Sequence, residues 1–91
     1  MAITHSRIAV NNSTAVAVTS LSDTYSSVTI SIQNLGTGVA YLGTSGVTST
    51  SYGMSIVAGG AVTVANIPAN DELYVIHQDA SAYVAVLRVS R

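Results

Sequence analysis

The chain has 91 residues, only 8% of them charged, and its three cations are all arginines (Arg7, Arg88 and Arg91), giving a formal charge of −1. So few cations exclude the counterion release by which proteins hold nucleic acid. The lack of cysteine excludes disulfides and thiolate metal sites, and no apolar run approaches the ~20 residues of a membrane span.

A soluble domain ordinarily carries about 25% charged residues. This surface must therefore be covered by hydroxyls, small residues and backbone, or by other protein chains. The length suits a single β domain, 1–91, because a second core would leave each half too small to outweigh chain entropy. The apolar fraction of 48% is mostly Val and Ala, with five tyrosines and no Phe or Trp. Such a core is shallow, and neighbouring subunits are expected to supply the missing burial. The opening residues form no signal-peptide pattern, so the chain reads as made in the cytoplasm and soluble.

Alternation of period two recurs from end to end and helical spacing is missing, which predicts an all-β fold. Ile3 to Val10 and Thr14 to Ser20 read as a hairpin around Asn11-Asn12-Ser13, whose Asn side chains tolerate turn backbone. In Ser27 to Asn34, Val28, Ile30 and Ile32 share one face while Thr29, Ser31 and Gln33 share the other. The glycines of Leu35-Gly36-Thr37-Gly38 then lead into Val39 to Gly43, a second hairpin.

Thr44 to Tyr52 is rich in Ser, Thr and Gly and is the longest predicted loop, with Val47 as its anchor. Met54 to Val57, the turn Ala58-Gly59-Gly60 and Ala61 to Ile67 read as a third hairpin. Pro68 stops that strand, since it has no amide for a central ladder, and Ala69-Asn70-Asp71 completes the corner. Glu72 to Gln78 and Ala82 to Ser90, joined by Asp79-Ala80-Ser81, close the chain.

About eight short strands with regular turn signals predict a small antiparallel β-sandwich or jelly-roll-like barrel. A weak echo, Val28-Thr29-Ile30 leading to Tyr41 and Val62-Thr63-Val64 leading to Tyr74, reads as two similar hairpins. Open strand edges recruit other strands unless lysine, proline or a bulge blocks them. Here lysine is absent, so either a barrel closes or an assembly occupies the edges.

No constellation dictates catalysis. Asp71-Glu72 is the only adjacent carboxylate pair, and neighbouring strand residues point apart, which does not suit a glycosidase. His77, Asp79 and His5 offer metal-ligand types, but their spacing selects no metal. Gly36-Thr37-Gly38 lacks the lysine and helix of a phosphate loop, and no nucleophile elbow occurs among the serines. Asn11 and Asn12 head glycosylation sequons that read better as turn residues. Catalytic, cofactor and metal residues are accordingly expected to be none. Tyrosines are amphipathic and enriched at contact surfaces. Tyr41 and Tyr74 fit strand packing, whereas Tyr25 and Tyr52 lie in polar loops, placed to anchor a partner or stack on a sugar.

Val28-Thr29-Ile30 through Asn34-Leu35-Gly36-Thr37-Gly38, with Tyr41-Leu42-Gly43, Gly46-Val47-Thr48 and Leu73-Tyr74-Val75-Ile76, resembles small β-domain virion proteins of tailed bacteriophages. The resemblance spans Val28 to Val89 and leaves the first 27 residues outside it. It implies a non-enzymatic capsid decoration protein on the virion surface, made in the host bacterial cytoplasm, with the major capsid protein as partner. No nucleic acid, membrane or cofactor is implied.

A homo-oligomer is expected, a trimer being the favoured form, and residues 1–10 are a candidate assembly arm or exchanged strand. Deleting them is expected to abolish particle binding. The candidate partner contacts are Ile3, Ile8, Tyr25, Val47 and Tyr52. The alternative is a receptor- or carbohydrate-binding domain of a tail or fibre, using the Thr44 to Tyr52 loop with Tyr25 or Tyr52.

Overall fold

Two four-stranded antiparallel sheets face each other across a core of β-branched side chains. The computed structural model describes residues 2–19, 26–68 and 71–90. Among them run eight strands: β1 (Ala2–Val10), β2 (Val16–Ala17), β3 (Ser27–Asn34), β4 (Ala40–Gly43), β5 (Met54–Ile56), β6 (Ala61–Pro68), β7 (Tyr74–His77) and β8 (Ala82–Ser90). The first sheet has the order β1-β8-β3-β6 and the second β2-β7-β4-β5. This eight-stranded, two-sheet interleaving is a jelly roll, as the strand count and turn spacing predict.

The strand positions follow the alternation pattern, except that Thr14 to Ser20 gives only the two residues of β2 and Glu72 to Gln78 only the four of β7; the expected partners are not the observed ones. None of the three expected hairpins forms. β1 pairs β8 rather than β2, β3 pairs β6 and β8 rather than β4, and β6 pairs β3 rather than β5. Each of those turns carries the chain from one sheet to the other. β4 and β5 alone are sequence neighbours that pair, across the segment predicted as the long loop. The Val28/Tyr41 and Val62/Tyr74 echo thus marks two similar crossings between sheets, β3 to β4 and β6 to β7.

The core is formed by Val10, Val28, Ile30, Ile32, Ile67, Ala82, Val84 and Val86 from the first sheet against Val18, Ala40, Leu42, Ile56 and Val75 from the second side. No aromatic ring among the described residues enters it. Medium-sized side chains on both inner faces keep the sandwich thin, with overall extents of 33 × 22 × 18 Å. Its radius of gyration, 12.2 Å, is the ~12 Å of a well-packed chain this long.

The four sheet edges differ in how they are protected. β2 and β5 span two and three residues, too short to template another strand. β6 is interrupted where its register with β3 shifts between Val28 and Ile30, at Asn66 in the left-handed region (φ 57°), and it ends on Pro68. A bulge and a terminal proline are both edge-blunting devices. β1 has neither. Its nine residues keep unbroken register with β8, from Ala2↔Ser90 to Val10↔Ala82. The other edge of β1 faces no strand among the described residues.

Candidate functional site: an uncharged sheet face beside an open edge

The groups that could carry chemistry are engaged with each other. Asn34 continues the inward face of Val28, Ile30 and Ile32 and is fully buried. Its Nδ2 donates to the carbonyls of Gly38 (2.8 Å) and Ile56 (2.9 Å), and its Oδ1 accepts from the Gly36 amide (2.9 Å). His77 Nε2 lies 2.9 Å from the same Oδ1, while Nδ1 accepts the Asp79 amide at 2.9 Å. Nδ1 is therefore the unprotonated nitrogen and Nε2 the donor. Both ring nitrogens are occupied, so the His77/Asp79 spacing considered for a metal builds a turn instead. Gly36 is required there because a Cβ would sit 2.7 Å from the His77 ring.

The Gly36-Thr37-Gly38 turn does cradle an anion, and that anion is the protein's own. Asp79 Oδ2 accepts from the Gly38 amide (3.0 Å), the Thr37 amide (3.2 Å) and the Thr37 hydroxyl (3.1 Å). The Gly38 amide, then the Thr37 hydroxyl and amide, hold this carboxyl below its ordinary range against an opposing contribution from desolvation.

Asp71 and Glu72 are exposed. Glu72 accepts the Tyr74 hydroxyl at 3.0 Å, and that bond pushes the phenol above its ordinary value. Asn11 Oδ1 caps the amides of Ser13 and Thr14, the turn role read from sequence. Among the described residues no three His, Cys, Asp or Glu side chains cluster as a metal site would require. No described helix is long and apolar enough to cross a membrane.

What the structure assembles is a surface. On β1 the odd residues Ile3, His5, Arg7 and Ala9 are exposed, while Thr4, Ser6, Ile8 and Val10 turn inward. The β8 register sets Val89, Leu87, Ala85 and Tyr83 beside them, and β3 adds Thr29, Ser31 and Gln33. Ile3 (69% exposed), Tyr83 (50%) and Leu87 (44%) are the large apolar groups of this face. Its one cation among the described residues, Arg7, lies 5.6 Å over the Tyr83 ring. The small side chain of Ala85 leaves a groove of about 300 Å³ between Arg7, His5, Gln33 and Leu87. Ser31 and Thr63 hydroxyls join across the next strand pair at 2.9 Å.

No family model and no curated protein matches the chain.

Of the five contact residues predicted from sequence, Ile3 stands on this face. Ile8, five positions on, faces the opposite way and packs against the core. Val47 is buried (5% exposed), lying where a Cβ on Gly43 would touch it at 3.2 Å, so it anchors the β4–β5 loop and does not face solvent. Tyr52 is exposed, but on the other sheet, its ring 4.7 Å from that of Tyr41. Tyr25 lies outside the described residues.

Sequence reasoning missed Leu87 and Tyr83. Ala82-Val84-Val86 and Tyr83-Ala85-Leu87 are about equally apolar, so alternation alone does not say which set is inside. Arg88, the most polar residue of β8, settles the matter against intuition. It is buried, donating through Nε to the Val18 carbonyl (2.9 Å) and through Nη1 to the Ser6 hydroxyl (3.0 Å).

Proposed function

We propose that this protein is a non-enzymatic structural protein of a bacteriophage virion, a decoration protein that lies on the major capsid lattice as a homo-oligomer, with a trimer as the favoured form. The reading joins the sequence resemblance to one structural observation: the Ile3–Tyr83–Leu87 face lies next to β1, the one long edge with neither bulge nor proline. A broad face of a body 33 × 22 × 18 Å is of the size that a standard interface buries, about 800 Å² per partner. An apolar centre with few charges is the composition of an interface core. Binding the lattice would stabilise it by mass action, since the bound protein favours the assembled shell over separated subunits.

The residues 1–10 deletion is not a clean test, because β1 carries the core residue Val10. Leu87→Arg alters the exposed face alone and adds a charge that would be desolvated on docking. The variant is expected to keep the wild-type unfolding midpoint and to lose at least about tenfold in affinity for undecorated particles, as an interface anchor does. Undiminished co-sedimentation of folded Leu87→Arg with particles would remove the face from the reading.

A further inference from the structure

The second sheet presents a different surface, a recess of about 410 Å³ lined by Asn12, Tyr41, Ser49, Ile76, His77 and Gln78. Small-ligand sites begin at roughly 300 Å³. Three separate segments form its walls, and each is pinned. The Asn11–Thr14 turn is tied to β7 by the His77 amide donating to the Asn11 carbonyl (2.9 Å). The β4–β5 loop is closed by Thr48 and Ser51 bonding reciprocally (2.8 and 3.3 Å) and by the Gly53 amide donating to Leu42 (2.8 Å). Gln78 is held by its amide on the Val39 carbonyl (2.8 Å) and by its Oε1, which accepts the Val39 amide (3.1 Å). With Oε1 taken by the Val39 amide, the carboxamide nitrogen is the group Gln78 has left to offer, and it can only donate.

Among the described residues the lining has two carboxamides, a serine hydroxyl, a phenol, the His77 ring with both nitrogens already bonded, and an aliphatic floor, with no formally charged group. An uncharged recess of this kind has nothing to neutralise a phosphate, carboxylate or metal ion. Hydroxyl-rich neutral ligands suit it, because amides and hydroxyls can both donate and accept. Tyr41 is the aromatic side chain of the lining, and Tyr52 packs against its ring at 4.7 Å with a 44° tilt. We propose that this recess binds a neutral pyranose ring at the end of a glycan chain, the ring's C–H face on Tyr41 and its hydroxyls on Asn12, Ser49 and Gln78. The site lies on the sheet opposite the Ile3–Leu87 face, so a chain docked by one sheet could present the other outward.

The test is an amide-resolved NMR titration of the full chain with the methyl glycosides of glucose, galactose, mannose, N-acetylglucosamine and N-acetylgalactosamine. At least one is expected to give saturable shifts centred on Asn12, Ser49 and Gln78, with a dissociation constant on the order of 1 mM for a single ring. Tyr41→Ala should weaken it at least about tenfold, the loss of one aromatic contact of about 1.4 kcal/mol. Asn12→Ala, an exposed turn position, should weaken it with the fold intact, and Leu87→Arg on the far face should leave it unchanged. No saturable shift with any of the five, or equal affinity in folded Asn12→Ala and Tyr41→Ala, overturns the site. The titration contains no capsid, so its result is independent of the lattice reading.

Discussion

Asn34 is fully buried and joins β3, the Gly36–Gly38 turn, β5 and β7 through four hydrogen bonds. A buried donor or acceptor left without its partner costs about 1–3 kcal/mol. Asn34→Leu orphans the Gly38 and Ile56 carbonyls, the Gly36 amide and the His77 Nε2–H. It should destabilise the fold by about 3 kcal/mol or more in urea unfolding, far beyond the roughly 0.5 kcal/mol of an ordinary surface change.

Asp79 makes a pH-dependent contribution whose sign follows from its bonds. The Gly38 and Thr37 donors stabilise the carboxylate in the folded state and lower its pKa there. That stability is complete above the unfolded value of about 3.9 and is lost as pH falls through the lower folded value. Asp79→Asn should therefore be less stable than wild type at neutral pH, and the two melting curves should converge in acid. A gap that stayed constant from neutral to acid pH would show that the carboxylate's charge is not what matters.

At the scale of elements, edge protection decides where this protein can meet another. β6 has its Asn66 bulge and Pro68, β2 and β5 are very short, and β1 runs nine residues without interruption. Its side chains alternate Ile3, His5, Arg7 and Ala9 outward, so a single arginine is the only fixed charge along it. Lysine is the residue natural edges use to prevent pairing. Ile3→Lys changes an exposed site and should shift the unfolding free energy by no more than about 0.5 kcal/mol. Sedimentation of concentrated protein should nevertheless show weaker self-association than wild type. Equal association would place oligomer contacts away from this edge.

For the whole molecule, the low charge becomes intelligible once the two broad faces are separated. The first sheet carries Ile3, Tyr83 and Leu87 around a shallow groove, and the second carries the pinned, uncharged recess beside Tyr41 and Tyr52. In the proposed roles neither face needs ionic groups for contact, and the few charges are partly absorbed inside, as with Arg88 between the sheets. On the proposed lattice role, particles carrying the protein should break open at a higher temperature than stripped particles. Adding back wild type should restore the difference, and Leu87→Arg should not. Identical disruption temperatures with and without bound protein would remove cementing as its effect.

Although β2 and β7 proved shorter than their apolar patterns, the number and order of the strands, and the limits of most, were legible in the residues, because alternation, glycine, asparagine and proline act locally. The turn roles of Asn11, Gly36 and Pro68 were readable for the same reason. Strand partners were not. A turn that closes a hairpin and one that carries the chain to the facing sheet have similar local composition, and the difference is settled by which apolar faces meet. The phase of β8 was hidden likewise, since both of its faces are apolar and only the opposing sheet determines that Val84 and Val86 go in while Leu87 stays out. The contact face and the recess are products of that choice, assembled from strands and turns far apart in the chain, and so they exist only in the folded sandwich.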